Sequence, residues 1–254
     1  MKFFLSVFLV LQITFASAQV NDIKNSSSQN ANSRGGGGER GGGSSGGAFF
    51  AQIFIQSLQG IATWQQYKLD RRSKNEYIVS LDIIGQAAIQ PSRYYLMNPR
   101  IRGNWGLFST DFRINYLLQE TAAGTESLSS IDWQILQLNL VTTRNMIGRV
   151  GGGFMKENFS GNLSFFESTY GVFIQSTNKK LGVTLEYRIA QDFVTGLVPR
   201  REIGAQFEYR LSTKGYWNTY LTLGGVYQQY YESINVWGMQ AGLAFRIFSP
   251  SIQN

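Results

Sequence analysis

The chain contains no cysteine and no histidine among its 254 residues. Without cysteine it has no disulfide framework, no thiolate metal site and no lipid-modified cysteine of the lipoprotein type. Without histidine it lacks the commonest general base and the commonest metal ligand. The serine–histidine and aspartate–histidine pairs of many hydrolases therefore cannot be built. We predict that the protein is not an enzyme and that it holds no metal and no cofactor.

Long apolar runs are also scarce. After residue 18 no stretch approaches eighteen uninterrupted apolar residues, which argues against a helical membrane protein. At the start, Lys2 precedes an apolar run from Phe3 to Phe15, and Ala16-Ser-Ala18 follows it. A basic start, a short apolar segment and small residues are typical of a cleaved signal peptide. We predict a signal peptide over 1–18. An uncleaved anchor helix is the alternative, and the apolar run is short for it.

What the chain does contain, from Tyr77 to Phe248, is a strand-length unit repeated about ten times. The segment from Leu181 to Ile189 is the clearest example, because every second residue is apolar and the alternate positions carry Thr184, Glu186 and Arg188. Side chains of a strand alternate between its two faces, so one face is apolar and the other polar. This pattern is typical of a transmembrane β-barrel.

The repeats predict an all-β, antiparallel, up-and-down barrel of ten strands, with eight to twelve possible. The predicted strands are 77–89, 94–103, 107–118, 130–141, 146–155, 164–176, 181–190, 201–212, 216–230 and 234–248. Short turns at 104–106, 143–145, 176–180 and 213–215 alternate with longer loops at 119–129, 156–163 and 191–200. Outer-membrane barrels keep short turns in the periplasm, which assigns the two ends. A soluble β-sandwich also shows alternation, but its apolar face would not carry a large aromatic in nearly every strand.

The polar face of these strands predicts a charged interior. The predicted lumen-facing network comprises Asp82, Arg100, Arg102, Asp111, Arg113, Glu167, Glu186, Arg188, Glu208, Arg210 and Arg246. A barrel of this size has little room beyond its own side chains. A filled, ion-paired lumen is therefore one reading, and a narrow, weakly anion-selective pore is the other. In the 119–129 loop, Glu120 and Glu126 could act as a carboxylate pair or hold calcium, although solvating the loop is the simpler role.

Two segments precede the repeats. Residues 19–47 are rich in asparagine, serine and then glycine, a composition that predicts a flexible linker. Residues 48–75 combine apolar residues at helical spacing with a basic end, which predicts an amphipathic helix that docks on a partner or on the membrane. The predicted docking residues are Phe50, Ile53, Phe54, Ile61, Trp64, Lys68, Arg71 and Arg72. An additional strand or a plug within the barrel is the alternative.

The net charge is +7, with a pI of about 9.6. In a cytosolic chain this excess would suggest nucleic acid. For an exported barrel the expected counter-charges are lipid head groups and lipopolysaccharide. We therefore predict outer-membrane lipid and lipopolysaccharide as partners, and no nucleic acid.

The whole layout resembles that of small outer-membrane β-barrel proteins of Bacteroidota-type bacteria. Its parts are an Ala-Gln cleavage junction at residues 18–19, a biased polar segment, an aromatic amphipathic stretch and a barrel over 76–254. The resemblance implies a barrel that often serves as an accessory subunit.

We predict a non-catalytic structural or accessory subunit of a larger outer-membrane complex for assembly, secretion or uptake. It would lie in the Gram-negative outer membrane, with its N-terminal arm in the periplasm and a protein partner. The alternatives are a narrow small-solute pore and a surface adhesion or ligand-binding barrel.

Overall fold

Eleven strands follow one another along the part of the chain that the structure, a computed structural model, describes: residues 19–35, 58–71, 75–90, 94–121, 124–159 and 162–249. The strands are β1 Val79–Gln90, β2 Tyr94–Met97, β3 Arg100–Trp105, β4 Phe108–Thr121, β5 Gly124–Thr142, β6 Met146–Glu157, β7 Ser164–Gln175, β8 Leu181–Gln191, β9 Arg200–Lys214, β10 Trp217–Tyr230 and β11 Ile234–Phe248.

The strands close into a barrel of ten. Strands β2 and β3 both lie between β1 and β4, so together they form one barrel strand that is interrupted at Asn98 and Pro99. Proline has no N–H to donate to a strand ladder, which explains the break. The carbonyl of Pro99 still accepts a hydrogen bond from the Ile114 amide at 3.0 Å. Antiparallel pairing of β1 with β11 completes the ring, which confirms the predicted fold class.

The faces of the barrel are reversed relative to a water-soluble protein. In β8, Leu181, Val183 and Leu185 point outward and are 41 to 54% exposed, whereas Arg188 is 1% exposed. Other strands repeat this arrangement, with large apolar residues outside and charged or amide side chains inside. Apolar groups on the exterior are stable only where the surrounding medium is itself apolar.

One predicted loop is largely strand. The 119–129 loop prediction is wrong, because β4 continues to Thr121 and β5 begins at Gly124. Leu117 pairs with Leu128 across this hairpin, and both side chains are buried. Gly124 has a φ of +134°, a conformation that favours glycine, so the chain reverses without a long loop.

Within the described residues two helices precede the barrel, α1 Gln19–Gly35 and α2 Leu58–Asp70, and a short 3-10 helix, Glu76–Ile78, leads into β1. The flexible-linker prediction is therefore wrong for 19–35, where the structure has a helix. Serine and asparagine are weak helix formers, so α1 depends on packing for its stability. The rest of that predicted linker, 36–47, lies outside the described residues.

The predicted amphipathic helix is present in its C-terminal part as α2. Phe50, Ile53, Phe54 and Arg72 lie outside the described residues, and Ile61 is helical. No helix in the described ranges is long and apolar enough to cross a membrane.

The barrel has two distinct ends. We call the end with the tight turns at 105–108, 143–145, 176–180 and 214–217 the turn end, and the opposite end, with 157–163 and 191–200, the loop end. Helix α1 lies at the loop end and α2 at the turn end. The two helices therefore lie at opposite ends, which does not fit the prediction of an N-terminal arm on one side of the membrane.

Candidate functional site

The barrel interior is filled by alternating guanidinium and carboxylate groups. We call the connected set the arginine–carboxylate network. Its members are Arg100, Arg102, Arg113, Arg188, Arg200, Asp111, Asp132, Glu167, Glu186 and Glu202. All ten project from inward positions of β3, β4, β5, β7, β8 and β9.

Asp111 and Glu186 organise one half of the network. Asp111 is fully buried and accepts hydrogen bonds from Arg102 at 2.6 Å and from Arg188 at 3.0 Å, and it also pairs with Arg100. Glu186 accepts from Arg100 and from Arg188, each at 2.7 Å. Arginine suits a carboxylate that several residues share, because each guanidinium group offers five N–H hydrogen-bond donors.

Asp132, Glu167 and Glu202 organise the other half. Asp132 Oδ2 lies 2.7 Å from Nη2 of Arg113 and 2.6 Å from Nη2 of Arg200. Arg113 also pairs with Glu202, and Arg200 reaches Glu167 at 2.7 Å. The contact of Arg188 with Glu167, at 3.4 Å, joins the two halves. Each of these carboxylates therefore has at least one guanidinium partner.

A separate ion pair lies nearer the turn end. Arg246 donates to Asp82 at 2.9 Å and to Glu208 at 3.3 Å. Its guanidinium also lies 4.8 to 5.4 Å from the ring centroids of Tyr77, Phe173 and Tyr220. Cation–π contacts of this kind add to the ion pair where water is scarce.

Apolar clusters lie at both ends of the polar interior. At the turn end, Tyr77, Ile147, Phe173 and Phe248 pack together inside the barrel. At the loop end, Val20 and Ile23 of α1 pack on a larger cluster. The other buried members of that cluster are Ala88, Tyr94, Leu96, Leu117, Leu128, Val226, Tyr230, Tyr231 and Val236. The charged interior is thus enclosed along the barrel axis as well as around it.

One face of α1 is fixed to the loop end by polar contacts. The Val20 amide donates to Gln119 Oε1 at 2.8 Å, and Lys24 pairs with Glu126 at 2.7 Å. The Ser27 hydroxyl donates to Glu157 Oε2 at 2.6 Å, and Asn30 Nδ2 donates to Asp192 at 3.2 Å. Residues three and four apart share a helix face, so these contacts place one side of α1 over the mouth of the barrel.

Two residues of α2, Gln65 and Lys68, form hydrogen bonds with the turn end. Gln65 Oε1 accepts from the Leu107 amide at 2.6 Å, and Gln65 Nε2 donates to the Trp105 carbonyl at 3.1 Å. Lys68 Nζ donates to the Asn139 carbonyl at 2.7 Å and to Thr142 Oγ1 at 3.0 Å. Burial lowers the pKa of Lys68.

Helix α2 carries exposed aromatic side chains that lie beside two cationic residues. Trp64 is 39% exposed and Tyr67 is 51% exposed. Lys68 Nζ lies 5.5 Å from the Trp64 ring centroid, and the Arg71 guanidinium lies 4.2 Å from that of Tyr67. Three of the predicted docking residues, Trp64, Lys68 and Arg71, therefore lie together on α2.

Ten of the eleven residues predicted to form a lumen network are ion-paired inside the barrel. The exception is Arg210, which lies on an inward position near the turn end and donates to the Asn178 carbonyl at 3.1 Å. Sequence reasoning missed Asp132, Arg149, Arg200 and Glu202. The alternation contained the signal for Asp132, which stands between Ile131 and Trp133.

Two small cavities lie within the charged interior. One, of about 20 Å³, is lined by Asp82, Arg102, Arg149 and Arg246 among others, and the second, of about 30 Å³, by Arg113, Glu186 and Glu202 among others. Each holds about one or two water-sized groups. In the described ranges no three side chains of the metal-ligating types converge, and Glu126 of the predicted loop pair faces Lys24.

The fold has distant likenesses among solved structures. The N-terminal β-barrel domain of OprF from Pseudomonas aeruginosa matches at 11% identity and a TM-score of 0.30, covering 66% of this chain and 97% of that one. A bacterial polysaccharide outer membrane secretin matches at 7% identity and a TM-score of 0.26, covering 69% and 99%. No family model matches the chain, and no curated protein matches it.

Proposed function

We propose that this protein is a non-catalytic β-barrel of the Gram-negative outer membrane that serves as a structural or accessory subunit of a larger complex. The observation that carries the proposal is the interior: the arginine–carboxylate network fills the lumen, and apolar clusters lie at both its ends. An interior of this kind stabilises a scaffold and leaves little path for a solute.

The exterior supports a membrane location. Ile83, Leu185 and Leu243, on three different strands, are each 39 to 54% exposed on the outer face. In a bilayer these groups contact lipid, and the pairing of β1 with β11 closes the ring so that no strand edge faces the lipid. A signal peptide over 1–18 would deliver such a chain to the outer membrane.

The turn end supports a docking role. Trp64 and Tyr67 of α2 are exposed, and Trp105, Tyr216 and Trp217 are also exposed at this end. Arg71 adds a positive charge beside them. Aromatic rings flanked by cations are favoured at protein interfaces and at lipid head groups. We propose that the turn end faces the periplasm, where α2 contacts the partner protein.

Affinity purification from native membranes tests the accessory role. Wild-type protein should recover a stoichiometric partner, and the double variant Trp64→Ala with Tyr67→Ala should lose it while the barrel still shows heat-dependent gel mobility. A matched double variant at the loop end, Phe193→Ala with Val194→Ala, changes residues that are 66% and 79% exposed and should keep the partner. Wild-type protein that purifies alone, or loss of the partner in both variants, contradicts the proposal.

A narrow pore is the second candidate. It is favoured by one observation: Arg100, Thr184 and Gln206 line both cavities, so the two spaces adjoin. Conduction would require the network and α1 to move aside. Conductance measurements distinguish the two candidates, because a scaffold should not conduct ions and a pore should.

A further inference from the structure

Arg149 stands out among the buried arginines. It projects inward from β6 and is 8% exposed. No carboxylate of the described residues lies within ion-pair distance of it, and its Nε has no hydrogen-bond partner. Its alkyl stem runs past Gly171, where an added Cβ would lie 3.2 Å from Arg149 Cγ. A buried cation without an anion is costly, so its environment calls for a negative group.

A second unbonded donor lines the same cavity. Arg246 uses Nε and Nη2 for Asp82 and Glu208, and its Nη1 has no partner. Arg100 and Arg102 complete the cationic lining, and both are shared with the network carboxylates. Two guanidinium groups that each keep an unbonded N–H donor therefore line one cavity, which the carboxylates Asp82 and Glu208 also line.

The size of the cavity restricts the occupant. About 20 Å³ accommodates about one or two water-sized groups, which excludes a phosphate ester or a peptide carboxylate with its carbon chain. Ile147 and Phe173, which belong to the apolar cluster of the turn end, also line the cavity. The chemistry therefore favours a monatomic anion that accepts several N–H hydrogen bonds.

We propose that the turn-end half of the lumen contains a halide site in which chloride accepts hydrogen bonds from Arg149 and Arg246. Arg100, which pairs with Asp111 and Glu186, lies between this cavity and the second one and lines both. The inference is independent of the accessory role, since neither α2 nor its exposed aromatic residues take part.

Crystals of the full barrel grown in bromide test the site directly. An anomalous peak within hydrogen-bond distance of Arg149 Nε and Arg246 Nη1 is expected in wild-type protein. A crystal in which this position holds only water overturns the proposal, whatever the variants do.

Stability in detergent gives a second test. At constant ionic strength, replacing gluconate by chloride should raise the temperature of the wild-type gel-mobility transition by about 2–4 °C. Arg149→Met should abolish this rise, whereas Arg210→Met, whose guanidinium bonds only the Asn178 carbonyl in a turn, should keep it. An equal chloride effect in Arg149→Met and wild type contradicts the site. If Arg149→Met does not fold, Arg149→Lys, which retains the charge but lacks Nε, should show a weakened chloride effect.

Discussion

At the residue scale, Asp111 is a fully buried carboxylate that several charges share. Three arginines, Arg100, Arg102 and Arg188, converge on this one carboxylate, which water does not reach. Removing one partner of a buried ion pair leaves the other charge uncompensated, and the loss is typically about 3–5 kcal/mol. Exposed ion pairs contribute about 0–1 kcal/mol, because water solvates both charges.

Asp111→Asn should therefore lower the free energy of unfolding by several times more than Arg201→Gln. Arg201 pairs with Glu232 at 3.5 Å, and both side chains are about half exposed. Urea titration of the detergent-folded barrel, followed by gel mobility, measures both variants. Equal midpoints for the two would contradict a structural role for the network.

Gly153 tests how closely the strands pack. A Cβ built there would lie 2.0 Å from the Trp133 carbonyl oxygen, beside the register shift in β5, whereas a Cβ at Gly204 meets nothing within 4 Å. Gly153→Ala should cost about 1–3 kcal/mol through overpacking, and Gly204→Ala should be neutral or slightly stabilising. Thermal transitions of both variants provide the comparison, and a neutral Gly153→Ala would show that the strands are looser than the structure indicates.

The inward residues could be predicted where alternation was strict and not where it was interrupted. Glu186 and Arg188 stand in an unbroken alternating strand, and both are ion-paired inside the barrel. Arg149 lies beside the Gly151-Gly152-Gly153 run. Glycine has no side chain, so the alternation of polar and apolar residues cannot be recognised there. The ion-pair partner of a charged residue depends on distances across the lumen. The sequence of a single strand contains no information about those distances.

At the element scale, strands were predictable and α1 was not. Strand β11 runs from Ile234 to Phe248, the same bounds that alternation predicts. Helix α1 has weak intrinsic propensity, and only its contacts with distant residues such as Glu157 and Asp192 make it ordered. Local composition indicates a linker, and tertiary packing overrides it.

Thiol labelling tests the position of α1, because the chain has no native cysteine. Ser27 is fully buried against Glu157, and the neighbouring Ser28 is exposed. In folded protein, Ser28→Cys should react with a maleimide much faster than Ser27→Cys, and heating in detergent should equalise the rates. Equal rates before heating would mean that α1 does not occupy the mouth of the barrel.

At the scale of the whole molecule, the positions of α1 and α2 allow the orientation in the membrane to be measured. If the loop end faces the cell surface, an impermeant maleimide should label Ser28→Cys on intact cells. Tyr67→Cys, at an exposed position of α2, should react only after the outer membrane is permeabilised. The reverse pattern would place the turn end outside.

The central claim is that this barrel is closed, with a lumen filled by paired charges between apolar ends. Planar-bilayer recording of the purified, full-length protein tests it most directly. The account predicts no steady conductance above background at physiological salt, because the ion-paired side chains of the arginine–carboxylate network occupy the lumen. Stable, reproducible openings whose ion selectivity reverses on Arg113→Glu would contradict this claim and show that the protein is a pore.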